Sequence, residues 1–172
     1  MKKIIYLFLT ASLIFSSCSK EDEAVTPTVI IGCMDNTADN YNSNANEEAS
    51  NSCNFSAEVT YFLYKSASDA MIASGIPYVG FYDNFDNLMG TISYQYYYNF
   101  MSNVPCATTV GTLNSGIVWT GNSSTNGANF VYNIYLNDGS YFATGNFDVN
   151  AGECKLVGFV VTKSMAEEML NR

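Results

Sequence analysis

Large apolar side chains alternate with small or polar ones through most of the chain after Phe55. This period of two constrains the fold more than any other feature. Val59, Tyr61 and Leu63 alternate, as do Ile92, Tyr94, Tyr96 and Tyr98. So do Phe130, Tyr132, Ile134 and Leu136, and then Tyr141, Ala143, Gly145, Phe147 and Val149. Successive side chains of a strand point to opposite faces, so this pattern marks half-buried strands. Asn137-Asp138-Gly139-Ser140 lies between the last two runs, and Asp-Gly in that setting predicts a hairpin. Asn150-Ala151-Gly152-Glu153 predicts a turn into a last strand over 155–162. Asp83-Asn84-Phe85-Asp86-Asn87 predicts another, between strands over 78–82 and 88–98. Roughly seven or eight short strands with turn signals predict an all-β domain over 55–163. An antiparallel β-sandwich is the expected form, with a small β-barrel as the alternative. One helical turn is expected within 68–74. Ser164-Met165-Ala166-Glu167 carries a capping-box pattern, so 164–172 is expected to be a short helix or tail docked by Met169 and Leu170.

The first 17 residues have a different character. Lys2 and Lys3 precede an apolar run, Ile4 to Phe15, broken only by Thr10 and Ser12; Ser16, Ser17 and Cys18 follow. This is the layout of a secretory signal peptide, and the run is short for a membrane span. Leu13-Ile14-Phe15-Ser16-Ser17-Cys18 resembles a lipobox, with Phe15 where Leu is usual. The resemblance implies cleavage before Cys18 and acyl chains on its sulfur. Ser19-Lys20-Glu21-Asp22-Glu23 is similar to the surface-export signal of lipoproteins of the Bacteroidota. That implies a cell outer membrane location, lipid-anchored and facing outside. One buried acyl chain holds a protein only marginally, at about 0.8 kcal/mol per CH2, so two or three chains on one Cys make the lasting anchor. Residues 18–31 then read as a tether.

Composition narrows the partners. The chain has 7 basic and 16 acidic side chains, a formal net charge of -9. Nucleic acid and anionic lipid are recognised by cationic side chains, so neither is expected as a partner. Five cysteines are present. With Cys18 taken by lipid, Cys33, Cys53, Cys106 and Cys154 remain, and an exported protein meets an oxidising compartment. Three connectivities are open. Cys33–Cys53 and Cys106–Cys154 are expected, because each pair then lies within one segment of distinct composition. A zinc site is the alternative, but the chain has no His and no CxxC spacing.

Residues 32–54 are dominated by Asn and acidic residues and cannot bury a core, so a disulfide-closed loop module is expected. The segment resembles a short Cys-bounded motif recurring in surface proteins of the same bacteria. The matching positions are Gly32, Cys33, Asp35, Ala38, Asn40, Tyr41, Ala45, Glu47, Glu48, Ser52 and Cys53. Asn51 stands where a left-handed turn residue is needed. Asp35, Asp39, Glu47 and Glu48 offer oxygens of the kind Ca2+ takes, although the EF-hand spacing is missing. The other reading is a loop rich in Asx turns, whose Asn and Asp side chains bond their own backbone. The β-domain also loosely resembles small domains of Bacteroidota surface lipoproteins, through Pro105-Cys106 and Gly152-Glu153-Cys154.

Catalysis is not expected. Without His the commonest general base is missing, and no nucleophile elbow or phosphate-binding loop occurs. Asp69, Asp83, Asp86, Asp138 and Asp148 are the carboxylates available for glycoside hydrolysis. Three of them, Asp83, Asp86 and Asp138, sit in turn sequences. Binding is the expected class. Tyr94, Tyr96, Tyr97 and Tyr98 form a dense run, and strand alternation predicts that Tyr97 faces away from its neighbours as the ligand-binding candidate. Trp119, in Ile117-Val118-Trp119, reads as core. The expected function is a non-catalytic interaction or accessory subunit docking on another outer-membrane or cell-surface protein. The alternative is a glycan-binding module, with Ca2+ as its possible cofactor.

Overall fold

A computed structural model describes residues 27–171. The expected signal peptide, Cys18, the expected export signal Ser19 to Glu23 and the first part of the expected tether lie outside the described residues. Among the described residues seven strands form two sheets, a β-sandwich rather than a closed barrel. In chain order the elements are β1 (Cys53–Leu63), α1 (Lys65–Ala73), β2 (Tyr78–Asp83), β3 (Leu88–Ser93), β4 (Thr112–Gly121), β5 (Gly127–Leu136), β6 (Tyr141–Asn150), β7 (Cys154–Phe159) and α2 (Lys163–Leu170). One sheet has the order β4-β1-β7, the other β3-β2-β5-β6. All pairings are antiparallel except β1 with β7, which run parallel. The expected β-sandwich is present, and its strands pair antiparallel apart from this one pair. The turn at 150–153 crosses from one sheet to the other instead of closing a hairpin, so β7 lands beside β1 in the same direction.

The core lies between the sheets. Phe55 of β1 is buried beside the module with Cys33, Ala38 and Cys53, while Val59, Tyr61 and Leu63 of β1 are buried in the core and meet Val79 and Phe81 of β2, Ile134 of β5, and Phe147 and Val149 of β6. Tyr61 is its hub, with ring centroids 5.0 Å from Phe81, 5.4 Å from Tyr132 and 6.3 Å from Phe147. Trp119 is half-buried between Phe55 and Phe130, at 5.7 and 5.8 Å. Alternation held along β5. Along β6 it changes phase, because the register slips between Ile134 and Tyr135. That bulge turns Phe142 inward and leaves Tyr141 exposed, the reverse of the sequence expectation.

Other expectations shift as well. The strand expected over 88–98 ends at Ser93, where Tyr96 N–H returns to the Ser93 carbonyl. The single turn expected over 68–74 is a nine-residue helix, α1, burying Ala67, Ser68 and Met71. It closes with Gly75 at φ 68°, Ile76 N–H on Met71 O and Gly75 N–H on Ile72 O, a Schellman motif. The N-cap of α2 is Thr162, not Ser164, and its hydroxyl accepts from Met165 N–H. Met169 is buried against the core as expected, whereas Leu170 is exposed.

Both expected disulfides are present. Cys33–Cys53 joins the module to the first residue of β1. Cys106–Cys154 ties the long segment between β3 and β4 to the start of β7. That segment is a strap over the outer face of the three-stranded sheet. Tyr98 N–H donates to Leu63 O, and the Tyr98 ring sits 6.0 Å from Phe62. Thr60 and Phe62, which alternation would expose, are therefore fully buried. β1 has 11 residues, so its module end and its strap end are about 35 Å apart. Both helices follow strands that finish at the strap end.

Candidate binding site

The acidic residues of the module face different tasks. Asp35 accepts from the backbone N–H and hydroxyl of Thr37, at 2.8 and 2.7 Å, an Asx turn. Asp39 accepts from Ser56 Oγ at 2.9 Å. Glu48 reaches the β4–β5 turn, where Ser123 donates through N–H at 3.0 Å and Oγ at 2.8 Å. Glu47 pairs through its backbone with Ile31. Among the described residues, no three of these carboxylates come within 4.8 Å of one another. The candidate Ca2+ ligands are thus not brought together, and the cluster that does form, Glu48 beside Cys33 and Cys53, has its two sulfurs joined in the disulfide. The Asx-turn reading describes the loop better. Asn40 bridges Ser52 O and Asn54 N–H, both at 2.7 Å, and Asn51 takes the left-handed conformation at φ 56°.

The carboxylates available for catalysis are likewise engaged apart. Asp69 holds Lys65 at 2.6 Å, and that hydrogen bond raises the lysine pKa. Asp148 accepts from Asn129 at 2.9 Å, and Asp138 from Ser140. Asp83 organises the β2–β3 turn: Asn87 donates to it through its side chain and its backbone, and Phe85 through its backbone. These bonds hold the carboxyl below the usual range.

The tyrosine run does not form a row. Because β3 stops at Ser93, its members diverge. Tyr94 packs against the core, and its carbonyl accepts from Ser68 Oγ at 2.6 Å. Tyr98 covers Phe62. Tyr97 is exposed, with Lys65 Nζ 5.7 Å from its ring centroid. Its position comes from the strap, not from strand alternation, which corrects the reason given for singling it out. Tyr96 instead lines, together with Tyr78, a groove of about 410 Å3 between the β2–β3 edge and the start of β4. Tyr78 and Tyr96 are 41% and 43% exposed at its rim. Thr91, Ser93, Thr109 and Thr112 bring hydroxyls to it, and no charged side chain lines it. The strap reaches this position through Gly111. Its φ is +90°, and a Cβ there would meet Tyr96 Cβ at 2.7 Å. Beyond Pro77 a smaller cleft of about 290 Å3 continues between Met71, Ile76 and Tyr94.

A second aromatic cluster, not anticipated from the sequence, lies on the outer face of the four-stranded sheet. Tyr82 and Tyr135 rings are 4.7 Å apart, and Tyr135 and Tyr141 rings 5.7 Å. Asp86 accepts from Tyr135 Oη at 3.0 Å and from Asn133 at 3.2 Å, and this bond raises the Tyr135 pKa. The available signal was Tyr135 lying out of phase with the inward residues of β5. The bulge that brings Tyr141 beside it left no mark in the pattern. No protein-family model matches the chain, and neither a curated protein nor a solved structure does.

Proposed function

We propose that this chain is a non-catalytic binding subunit anchored by lipid on Cys18 to a cell outer membrane and facing outside. It resembles surface lipoproteins of the Bacteroidota in the lipobox ending at Cys18 and in the Lys-acidic run that follows. The observation that best supports the reading is the polarity of the domain. The chain comes onto the sandwich through the module: Asn46 accepts from Ile30 N–H and donates to Thr28 O, both at 2.9 Å. The groove and the exposed Tyr97, Phe100 and Met101 of the strap lie toward the other end of β1. A tether at one end and apolar contact groups at the other suit a protein that reaches outward to a partner. Among the described residues no helix is long and apolar enough to cross a membrane, so attachment in this reading rests on the lipid.

The test is intact mass of the protein taken from membranes of the producing cell, with protease treatment of whole cells. Loss of residues 1–17, added acyl mass, and cleavage on intact cells are expected. An unlipidated chain, or one protected until the cells are broken, would overturn the anchored and outward-facing reading.

A further inference from the structure

The groove at the strap end has a chemistry specific enough to name a ligand class. Aromatic rings present an apolar face beside a polar hydroxyl, and Tyr78 and Tyr96 offer both at an open rim. Between them the wall carries hydroxyl groups. The Thr91 hydroxyl has no hydrogen-bond partner among the described residues. Thr112 is the reverse case: its hydroxyl is tied to Thr109 and to Ala107 O, and so fixes the strap wall rather than offering a free group. The volume lies within the range of about 300–1,000 Å3 typical of small-molecule sites.

Charge decides between ligands. The chain carries a net charge of -9, and no Lys or Arg lines the groove to offset it. An anionic ligand would meet an unfavourable field and no cationic partner. A cationic ligand would find no carboxylate there. A neutral polyhydroxylated ligand satisfies the hydroxyls by exchange of hydrogen bonds and places its C–H faces on the rings. The Tyr82–Tyr135–Tyr141 cluster suits this less well, since its rings tilt by 58° and 79° and pack on one another.

We propose that the groove between Tyr78 and Tyr96 binds a neutral oligosaccharide, with the two rings as stacking surfaces and Thr91 and Ser93 as hydrogen-bonding groups. This deepens the reading of the chain as a binding subunit and rests on it for its setting at the cell surface.

The experiment is saturation-transfer NMR and calorimetry on the full mature protein in detergent. The probes are maltohexaose, cellohexaose, xylohexaose and mannohexaose at millimolar concentration, with tetragalacturonate as the anionic control. At least one neutral hexasaccharide is expected to bind, and the galacturonate is not. Tyr78→Ala and Tyr96→Ala should each weaken binding at least tenfold, and Thr91→Val by about threefold to tenfold, the loss of one hydrogen bond. Phe85→Ala, at an exposed turn, should leave it unchanged. Tyr78 is on a strand and independent of the strap, so Tyr78→Ala keeps the test valid if Tyr96→Ala disturbs the strap. Failure of all four neutral sugars to bind, equal binding of the galacturonate, or wild-type affinity in Tyr78→Ala would each overturn the proposal. Because the purified protein is assayed, sugar binding by an unlipidated chain would sink the anchor and leave the groove standing. A lipidated, surface-exposed chain that binds none would do the opposite.

Discussion

Replacing Cys106 and Cys154 together by Ala should cost the domain about 4 kcal/mol. The bridge spans a sequence separation of 48 residues and closes a loop holding β4, β5 and β6. In the chain-entropy model a closure of that length removes about 14 cal/mol/K from the unfolded ensemble, or about 4 kcal/mol at 25 °C. At about 2–4 °C per kcal/mol for a domain of this size, the midpoint of thermal unfolding should fall by about 8–16 °C. Urea unfolding followed by Trp119 fluorescence is the assay, because the indole sits against Phe55 and Phe130 in the folded state. The effect acts on the unfolded chain, so the denaturant slope should also rise as that chain expands. Folding should slow more than unfolding quickens if the strap is already seated in the transition state. A loss below about 1 kcal/mol with an unchanged slope would refute the reasoning. It would mean that Tyr98 on Phe62 holds the strap without the bridge and that the unfolded chain is already compact.

Four further outcomes follow from the packing and the turns. Phe81→Ala, beneath Tyr61 in the core, should cost about 3–5 kcal/mol in the same urea assay. Gly145→Ala should cost about 1–3 kcal/mol, because the Tyr132 ring lies where its Cβ would go; calorimetry reads this as a lowered midpoint. Thr162→Ala should cost about 1 kcal/mol, with faster amide exchange confined to the first turn of α2. Asp83 has its folded pKa depressed by Asn87 and Phe85, so its contribution is present above the unfolded value of about 3.9. It is lost as pH falls through the lower folded value. Wild type should therefore exceed Asp83→Ala in thermal midpoint at neutral pH, and the difference should close in acid.

Much of the fold was legible because alternation reports burial directly. Along β1 and β5 the inward residues were named correctly from period two, and the Asp-Gly hairpin between β5 and β6 lies where its residues put it. The disulfide pairing was legible from segment composition, and the left-handed turn at Asn51 from the residue type. Where the reading failed, a long-range contact had overridden a local pattern. Tyr94 to Tyr98 alternate like a strand, yet β3 ends at Ser93 and beyond it only an isolated bridge from Tyr98 to Tyr64 forms among the described residues. The strap uses their rings separately, on the core, on the groove, near Lys65 and on Phe62. Tyr141 and Phe142 exchanged places because Phe142 is an extra residue across from the Ile134–Tyr135 step, a bulge set by the pairing of two strands rather than by the pattern of one.

The sequence by itself determined an all-β sandwich and a module stapled by Cys33 and Cys53. These follow from residue type and short-range spacing, which act wherever the chain happens to lie. The tertiary structure alone decided that β7 runs parallel to β1, that the acidic residues of the module do not converge, and that Tyr78 meets Tyr96 across a groove free of charge. Those depend on which distant segments pack together, and Gly111 and the Cys106–Cys154 bridge fix that choice by letting the strap close over one sheet and by holding it there.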